Sequence, residues 1–173
     1  ANLSRQWQLH AESDVDAVGV FAALKAHNPA PFSSILQTPH WSLVSASPER
    51  LVQIKSGKVS TRPIAGTRPR SEDVDKDQAL IDELLNTPKE QAEHVMLIDL
   101  ERNDIGRVSK KGTVHVDELM GIESYPTVHH IVSNVVGDLT SEASVVDVLR
   151  SLFPGGTITG CPKVRCMEVI AEL

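Results

Sequence analysis

The stretch "KEQAEHVMLIDLERND", Lys89–Asp104, has the apolar spacing of a helix that packs against a core. Pro88 precedes it, and proline is favoured at the first position of a helix. Glu90 and Glu93 are three residues apart, so a helix places both carboxylates on one face, where they could hold a hard cation such as Mg²⁺. The alternative is structural: Thr87 and Glu90 have the spacing of a capping box, which would leave Glu93 as a solvated charge.

Helical spacing also predicts helices before and after this stretch. Pro29 and Pro31 end the first of them, and a loop is expected there because each proline restricts the residue before it to extended conformations. The other predicted helices are 14–27, "QALIDELLN" at 78–86, 144–152 with Ser144 as its cap, and the segment after Pro162.

Alternating and β-branched residues predict the strands. An antiparallel meander is expected over Trp41–Ile64, with Ser56-Gly57 as a tight turn. A short strand is predicted at 113–116 and a longer one at 128–139. Strands that are grouped first and then mixed with helices indicate an α+β fold instead of a regular βαβ alternation.

The composition restricts the class of protein. The chain has 173 residues, 40% of them hydrophobic, and one domain is expected because such a chain can bury a core. A net charge of -6 argues against nucleic acid as a partner. Apolar runs are far shorter than the roughly 20 residues that cross a bilayer, so a cytoplasmic protein without a membrane partner is predicted. Because the chain begins with Ala1 and its last helical pattern has no cap, we expect a piece of a longer polypeptide.

The glycine-rich turn "PGGTITGCPK", Pro154–Lys163, precedes a predicted helix. Amide groups there and the charge of Lys163 could hold an anion. A carboxylate is favoured over a nucleotide because Pro162 removes a donor that a Walker A loop requires. A plain connecting loop is the alternative.

In "PIAGTRPR", Pro63–Arg70, Gly66 permits close backbone approach and Thr67 offers a hydroxyl group to a ligand. Arg68 and Arg70 could equally be surface charges.

Two shorter motifs carry ionisable groups. His129 and His130 would point to opposite faces of a strand, so at most one of them faces a given site. The bend Ser47–Glu49 places Glu49 between two predicted strands, where it could act as a general acid or base or be a solvated turn residue.

Together these motifs resemble the chorismate-utilising enzymes, which include component I of anthranilate synthase and of 4-amino-4-deoxychorismate synthase. The stretches that carry the resemblance are "SPERLV", "RPIAGTRPR", "KEQAEHVMLIDLERNDIGRV", "YPTVHHIVSNVVGDL" and "PGGTITGCPKVRCMEVIAEL". The resemblance implies antiparallel sheets packed between helical layers, and residues 1–173 as part of a chorismate-binding catalytic domain that lacks its C-terminal part and the upstream region. Asn2–Trp7 resembles the family's first core strand.

The resemblance also implies roles for individual residues and a Mg²⁺ cofactor. Glu90 and Glu93 match the metal-binding carboxylates, Glu49 matches a general acid, and His130 matches a histidine implicated in ring chemistry. Gly66 and Thr67 match positions that line the substrate pocket, and Gly155, Gly156 and Thr157 match a turn that meets a substrate carboxylate.

Two branches of the family remain open. Ala65 stands where some aminodeoxychorismate synthases carry an attacking lysine, which favours anthranilate synthase and direct attack by ammonia. The stretches "LERNDIGRV", "YPTVHHIVS" and "PGGTITGCPK" favour the p-aminobenzoate branch, and amination to 4-amino-4-deoxychorismate is the preferred prediction. Either branch would take ammonia from a glutamine amidotransferase subunit or domain. A non-catalytic relative that only binds an anion is the further alternative.

Overall fold

The computed structural model describes residues 6–172, which separate into two compact units, 6–50 and 51–172. The boundary follows the bend at Pro48 and Glu49, where no linker composition marks it. The strand predicted at Asn2–Trp7 lies largely outside the described residues, and Gln6 and Trp7 have no regular secondary structure.

The first unit contains one helix and one hairpin. Helix α1, Ala17–His27, begins after Asp16, whose carboxylate accepts a hydrogen bond from Val18 N at 3.0 Å. Strands β1, Phe32–Gln37, and β2, Ser42–Ser47, pair in antiparallel register. The loop predicted at the prolines is confirmed over residues 28–31, but strand β1 was not predicted. An extended backbone suits entry into a strand as well as into a loop.

The second unit is built on a five-stranded sheet in which β7 is central. Strand β4 pairs with the C-terminal part of β7 and β5 with its N-terminal part, while β6 pairs along most of its length. Because a strand has two edges, β4 and β5 share one edge and β6 takes the other. The five strands are β3 Arg50–Lys55, β4 Lys58–Arg62, β5 Ile64–Pro69, β6 His115–Ser124 and β7 Val128–Asp138.

The sheet confirms some predicted strands and corrects others. The strand predicted at 128–139 is β7, and Ser56-Gly57 forms the tight turn between β3 and β4 with positive φ at both residues. The single meander was wrong, because β2 pairs with β1 and β3 belongs to the second sheet. The short strand predicted at 113–116 overlaps β6 only at residues 115 and 116. The alternation of this longer strand is obscured by two register shifts and by a positive φ of 50° at Met120.

Two helices of the second unit, α2 and α3, pack against β5 and β7. Helix α3 begins with Pro88 and contacts β4, β5, β7 and α4. No helix within residues 6–172 is both long and apolar enough to cross a bilayer. The five helices are α2 Val74–Asn86, α3 Pro88–Gly106, α4 Val145–Leu152, α5 Gly156–Thr159 and α6 Lys163–Glu172.

The hydrophobic core lies between α3, α4 and the sheet. Each large aliphatic side chain buried there contributes roughly 1.5–3 kcal/mol through removal of its surface from water. The core therefore fixes α3, and with it the two glutamates of its first turns, against β5 and β7. Its buried members are Val59, Ile98, Ile105, Val108, Val135, Val148 and Leu152.

Helix α4 has the cap that its sequence predicts. The Ser144 hydroxyl accepts a hydrogen bond from Asp147 N at 3.2 Å, and the Asp147 carboxylate accepts from Ser144 N at 2.9 Å. The Ser144 hydroxyl also donates to the Asp147 carboxylate at 2.6 Å. This bond, followed by the one from Ser144 N, holds the pKa of Asp147 below its usual value. The capping box therefore fixes the start of the helix that covers the core.

We expect Ser144→Ala to lower the free energy of unfolding by about 1 kcal/mol, because it removes the hydroxyl group from this cap. Urea denaturation followed by circular dichroism measures the change. Ser141→Ala, at an exposed serine three residues earlier, is the matched control and should change stability little. Equal effects of the two substitutions would show that the cap is not a source of stability.

Candidate functional site

The close contact between α3 and β5 occurs at Gly66. Gly66 has a φ of +86°, and a Cβ atom added there would lie 2.9 Å from Leu84 Cδ1 and 3.3 Å from Glu90 Oε2. Both the backbone conformation and the space therefore require glycine. The predicted close approach at Gly66 is made by side chains of α2 and α3.

The two oxygens of the Glu90 carboxylate have different environments. Its Oε1 accepts a hydrogen bond from Arg68 Nη1 at 2.8 Å, in an ion pair whose two side chains are each 18% exposed. Its Oε2 is buried and has no hydrogen-bond partner. A buried charged oxygen without a partner is costly, so this atom is suited to a cation.

The capping-box alternative for Thr87 and Glu90 was wrong. The Thr87 hydroxyl donates to the carbonyl oxygen of Glu83 at 2.7 Å and makes no cap to α3. Thr87 therefore closes the end of α2, and Glu90 remains available to Arg68.

Glu93 is exposed and lines a cavity of about 450 Å³ between α3, α5 and α6. Gly156 and Thr157 of the glycine-rich turn line the same cavity. The structure thus brings one of the two predicted metal ligands together with the predicted carboxylate-binding turn. The exposure of Glu93 agrees with the alternative prediction, in which its carboxylate is a solvated charge.

The glycine-rich turn lies directly on α3. A Cβ atom at Gly156 would lie 2.3 Å from Leu100 Cδ2, and one at Gly155 would lie 3.2 Å from Leu51 Cδ1. Lys163 donates a short hydrogen bond to the Asp104 carboxylate and another to Leu152 O at 3.1 Å. The ammonium group predicted to bind an anion is therefore held by α3 and by the end of α4, and its role toward a substrate stays a prediction.

Thr67 and His130 lie side by side on β5 and β7. They are partners in the strand register, and Thr67 Oγ1 lies 2.9 Å from His130 Nδ1. Strand alternation places His130 on one face of β7 and His129 on the other, as predicted. His129 faces α2, where its Nε2 lies 2.9 Å from Asp77 Oδ1.

The predicted residues form two groups within the second unit. Thr67 and His130 are on the sheet face opposite to His129, whereas Glu90 and Glu93 belong to α3. The segment Gly66–Arg68 of β5 contacts both groups, since Gly66 and Arg68 adjoin Glu90 and Thr67 adjoins His130.

Glu49 lies in the first unit. The Ser47 hydroxyl donates to Glu49 O at 2.9 Å and accepts from Glu49 N at 3.3 Å, so the bend is closed locally. The catalytic role of Glu49 stays a prediction.

An ionic network beside His130 was not predicted from the sequence. Arg62 pairs with Glu118 at 2.6 Å and with Glu123, while the Tyr125 hydroxyl donates to Glu123. The Tyr125 ring lies 5.8 Å from the ring of His130. Burial, followed by the hydrogen bond to Glu123, raises the pKa of Tyr125 to about 12.

A buried histidine of α3 was also missed. His94 is fully buried, and its Nε2 lies 2.6 Å from the hydroxyl of Ser133 on β7. That hydroxyl accepts a hydrogen bond from Met120 N at 2.8 Å, and His94 Nδ1 has no partner. Burial lowers the pKa of His94 to about 4, so the ring is neutral at pH 7 and joins α3 to the sheet as an uncharged group.

The residues present meet part of the requirement for a Mg²⁺ site, and the metal role of Glu90 and Glu93 stays a prediction. Within residues 6–172, no group of three or more His, Cys, Asp or Glu side chains is arranged to hold a metal ion. Mg²⁺ nevertheless needs only one or two protein carboxylates, with waters and ligand oxygens completing its shell. The unpartnered Oε2 of Glu90, one turn from the exposed Glu93, fits that requirement.

Comparison with known proteins identifies the family. Residues 1–173 match the family described as chorismate binding enzyme. The chain belongs to that family. It is 51% identical over 173 residues to an anthranilate synthase component I-like protein of Synechocystis, and 53% identical over 154 residues to aminodeoxychorismate synthase component 1 of Bacillus subtilis.

The family's fold is present in the described residues. Anthranilate synthase component I from Streptococcus pneumoniae matches with a TM-score of 0.82 and 39% identity, over 94% of this chain and 35% of its own. The predicted α+β fold with antiparallel sheets is thereby confirmed. The chain covers 36% and 33% of the two curated relatives, so it spans about a third of their length.

The raised pKa of Tyr125 can be measured directly because the chain contains one tyrosine. The folded state favours the neutral phenol, so ionisation and the loss of stability that accompanies it should begin above the unfolded pKa of 10. We expect an absorbance titration of the native protein to have its midpoint near 12, and near 10 in denaturant.

Glu123→Gln should lower that midpoint, because it removes the negative charge that holds the phenolic proton. Glu118→Gln removes the other carboxylate on Arg62 and is the matched control. Circular dichroism at each pH identifies unfolding. A native midpoint near 10 would contradict the hydrogen bond between Tyr125 and Glu123.

Proposed function

We propose that this chain is part of a Mg²⁺-dependent enzyme that aminates chorismate to 4-amino-4-deoxychorismate. The observation that carries the proposal is the Glu90 carboxylate, with one oxygen on Arg68 and the other buried without a partner, one turn from Glu93. Membership of the chorismate binding enzyme family supports the substrate. Because the chain spans about a third of its relatives, the activity is proposed for the whole protein.

Glu90 and Glu93 would hold the cation. Mg²⁺, when bound, would neutralise a ring carboxylate of the substrate and favour loss of the hydroxyl group. Gly155, Gly156 and Thr157 would bind a substrate carboxylate, and the last two of these line the cavity that Glu93 also lines. Lys163 would contribute a positive charge to the turn.

Glu49 would transfer a proton, and His130 would act in the ring chemistry with Thr67 as its hydrogen-bond partner. A protonated Glu49 would give its proton to the departing oxygen, which leaves as water. Ammonia would form the new C–N bond as an ammonium group, which then returns one proton to the Glu49 carboxylate. Thr67, through its contact with His130 Nδ1, would hold that ring in position, and Gly66 would let Glu90 lie close to β5.

Ammonia would come from a glutamine amidotransferase subunit or domain. Ala65 has no amine that could attack the ring, so ammonia itself would be the nucleophile. Anthranilate synthase is the second candidate, and the 51% identity over the whole chain to an anthranilate synthase component I-like protein supports it.

The test is product analysis with the full-length protein, chorismate, Mg²⁺ and an ammonium salt. We expect 4-amino-4-deoxychorismate by mass spectrometry and no anthranilate fluorescence. A fluorescent anthranilate product would select the second candidate. Chorismate binding by calorimetry without any turnover would support a non-catalytic relative instead.

Substitution of the proposed metal ligands distinguishes loss of the cation from damage to the fold. We expect Glu90→Gln and Glu93→Gln each to lower kcat/KM by at least about 100-fold, because each removes an anionic ligand. Asp99→Asn removes an exposed carboxylate from the same helix and is the matched control. Full activity of either glutamine variant would contradict the assigned metal ligands.

The isolated 173-residue chain should not turn over chorismate, because further ligands for the cation and the substrate are expected outside it. The same product assay, at equal molar concentrations of the chain and the full-length protein, measures this. Turnover by the isolated chain would show that the site is complete within these residues.

A further inference from the structure

The His130 ring lies in a row of side chains that crosses three strands. The strand register pairs His130 with Thr67 on β5 and with Glu123 on β6. Directly opposed residues of an antiparallel pair point to the same face, so the three side chains share one face of the sheet. Thr67 Oγ1 lies 2.9 Å from His130 Nδ1. That contact restrains the position of Nδ1, but it leaves the tilt of the ring plane less restricted.

The Tyr125 ring makes a second contact with His130. The two ring centroids lie 5.8 Å apart, and the ring planes meet at 59°. Aromatic pairs at this separation favour tilted arrangements, in which the edge of one ring meets the face of the other. His130 is 8% exposed, so its ring is packed by neighbouring groups and not by solvent. The contact with Tyr125 therefore restricts the plane of the imidazole ring, while Thr67 restrains Nδ1.

Tyr125 is itself fixed through its backbone and its hydroxyl group. Its carbonyl oxygen accepts a hydrogen bond from Arg70 Nη1 at 3.1 Å, and its N–H group donates to Val128 O at 2.8 Å across the turn between β6 and β7. The hydroxyl group donates to the Glu123 carboxylate, which also accepts from Arg62 Nε at 2.9 Å. Burial and the hydrogen bond to Glu123 raise the pKa of Tyr125 to about 12, so the hydroxyl group remains a donor at pH 7.

These contacts restrain the His130 ring from both edges of β7. Thr67 acts from β5 on one edge, and Tyr125 acts from the end of β6 on the other. Because Nδ1 and Nε2 belong to one rigid ring, restraint of Nδ1 and of the ring plane also sets the direction of Nε2. Small errors in the orientation of a reacting group cost rate, so such a restraint matters for a histidine that acts in chemistry.

We propose that Tyr125 is a positioning residue that holds the His130 ring in one orientation for the ring chemistry. The inference rests on the proposed function, in which His130 acts in the chemistry of the substrate ring. Glu123 and Arg62 contribute by holding the Tyr125 hydroxyl group in place. The ionic network beside His130 is then the support of that ring on the side of β6.

The test compares full-length variants by steady-state kinetics, with chorismate, Mg²⁺ and an ammonium salt, and by crystallography. Tyr125→Leu removes the aromatic ring. We expect it to lower kcat about tenfold and to change the KM for chorismate by less than about twofold, because orientation is lost and binding is kept. Tyr125→Phe keeps the ring and should lower kcat by less than about threefold. In crystals, the His130 ring should have one rotamer in Tyr125→Phe and more than one in Tyr125→Leu.

Glu118→Gln is the matched control, because Glu118 is the other carboxylate on Arg62 and the Tyr125 hydroxyl group donates to Glu123. Its kcat should be unchanged. Tyr125→Met also lacks the ring and replaces Tyr125→Leu if that variant does not fold.

Three results would overturn the inference: an unchanged kcat in the variants without the ring, an equal loss in Tyr125→Phe, or a single unchanged His130 rotamer in all of them. No turnover by the unchanged full-length protein would overturn the proposed function. The rotamers of His130 would still decide the role of Tyr125 in that case, so the two failures are distinguishable.

Discussion

The close packing of α3 on β5 at Gly66 is the constraint on which the candidate site depends. Without a Cβ atom at that residue, Leu84 and Glu90 lie where a side chain would otherwise be. The approach brings Glu90 within hydrogen-bonding distance of Arg68, two residues further along β5. A single backbone feature therefore sets both the position of the carboxylate and the identity of its partner. Glycine also supplies the positive φ that turns the strand at this point.

Strand β7 connects β5 to the other strands of the second unit. Its two edges receive β4 and β5 on one side and β6 on the other, so residues from four segments of sequence meet along it. One face contributes Val135 to the core and Ser133 to the contact with His94. The other presents His130 to Thr67 and Tyr125. Apolar packing on one face thus supports a polar arrangement on the other.

Local patterns predicted most elements correctly, because helices and tight turns depend on residues close in sequence. The Ser144 cap, the break at Thr87-Pro88 and the Ser56-Gly57 turn are examples. The pairing of β2 with β1 was not predictable in this way, since a meander and two separate sheets share the same alternation. Resemblance to the family supplied the candidate residues, and the structure supplied their neighbours.

Some partners could not be derived from sequence at all. Arg68 and Glu90 are 22 residues apart, and Lys163 and Asp104 are 59 residues apart. Arg62 and Glu123 are 61 residues apart. Charged residues are common in every segment of the chain, so no pattern selects these pairs before the fold is known. Strand register and helix packing select them.

The contact between Thr67 and His130 fits either neutral tautomer of the ring. When the hydroxyl group donates to Nδ1, the ring proton is on Nε2, which is then a hydrogen-bond donor. When the hydroxyl group accepts from Nδ1, Nε2 has a free lone pair and is an acceptor. A serine or threonine at this position of β5 therefore satisfies Nδ1 whichever nitrogen carries the proton, and leaves Nε2 to suit its own partner.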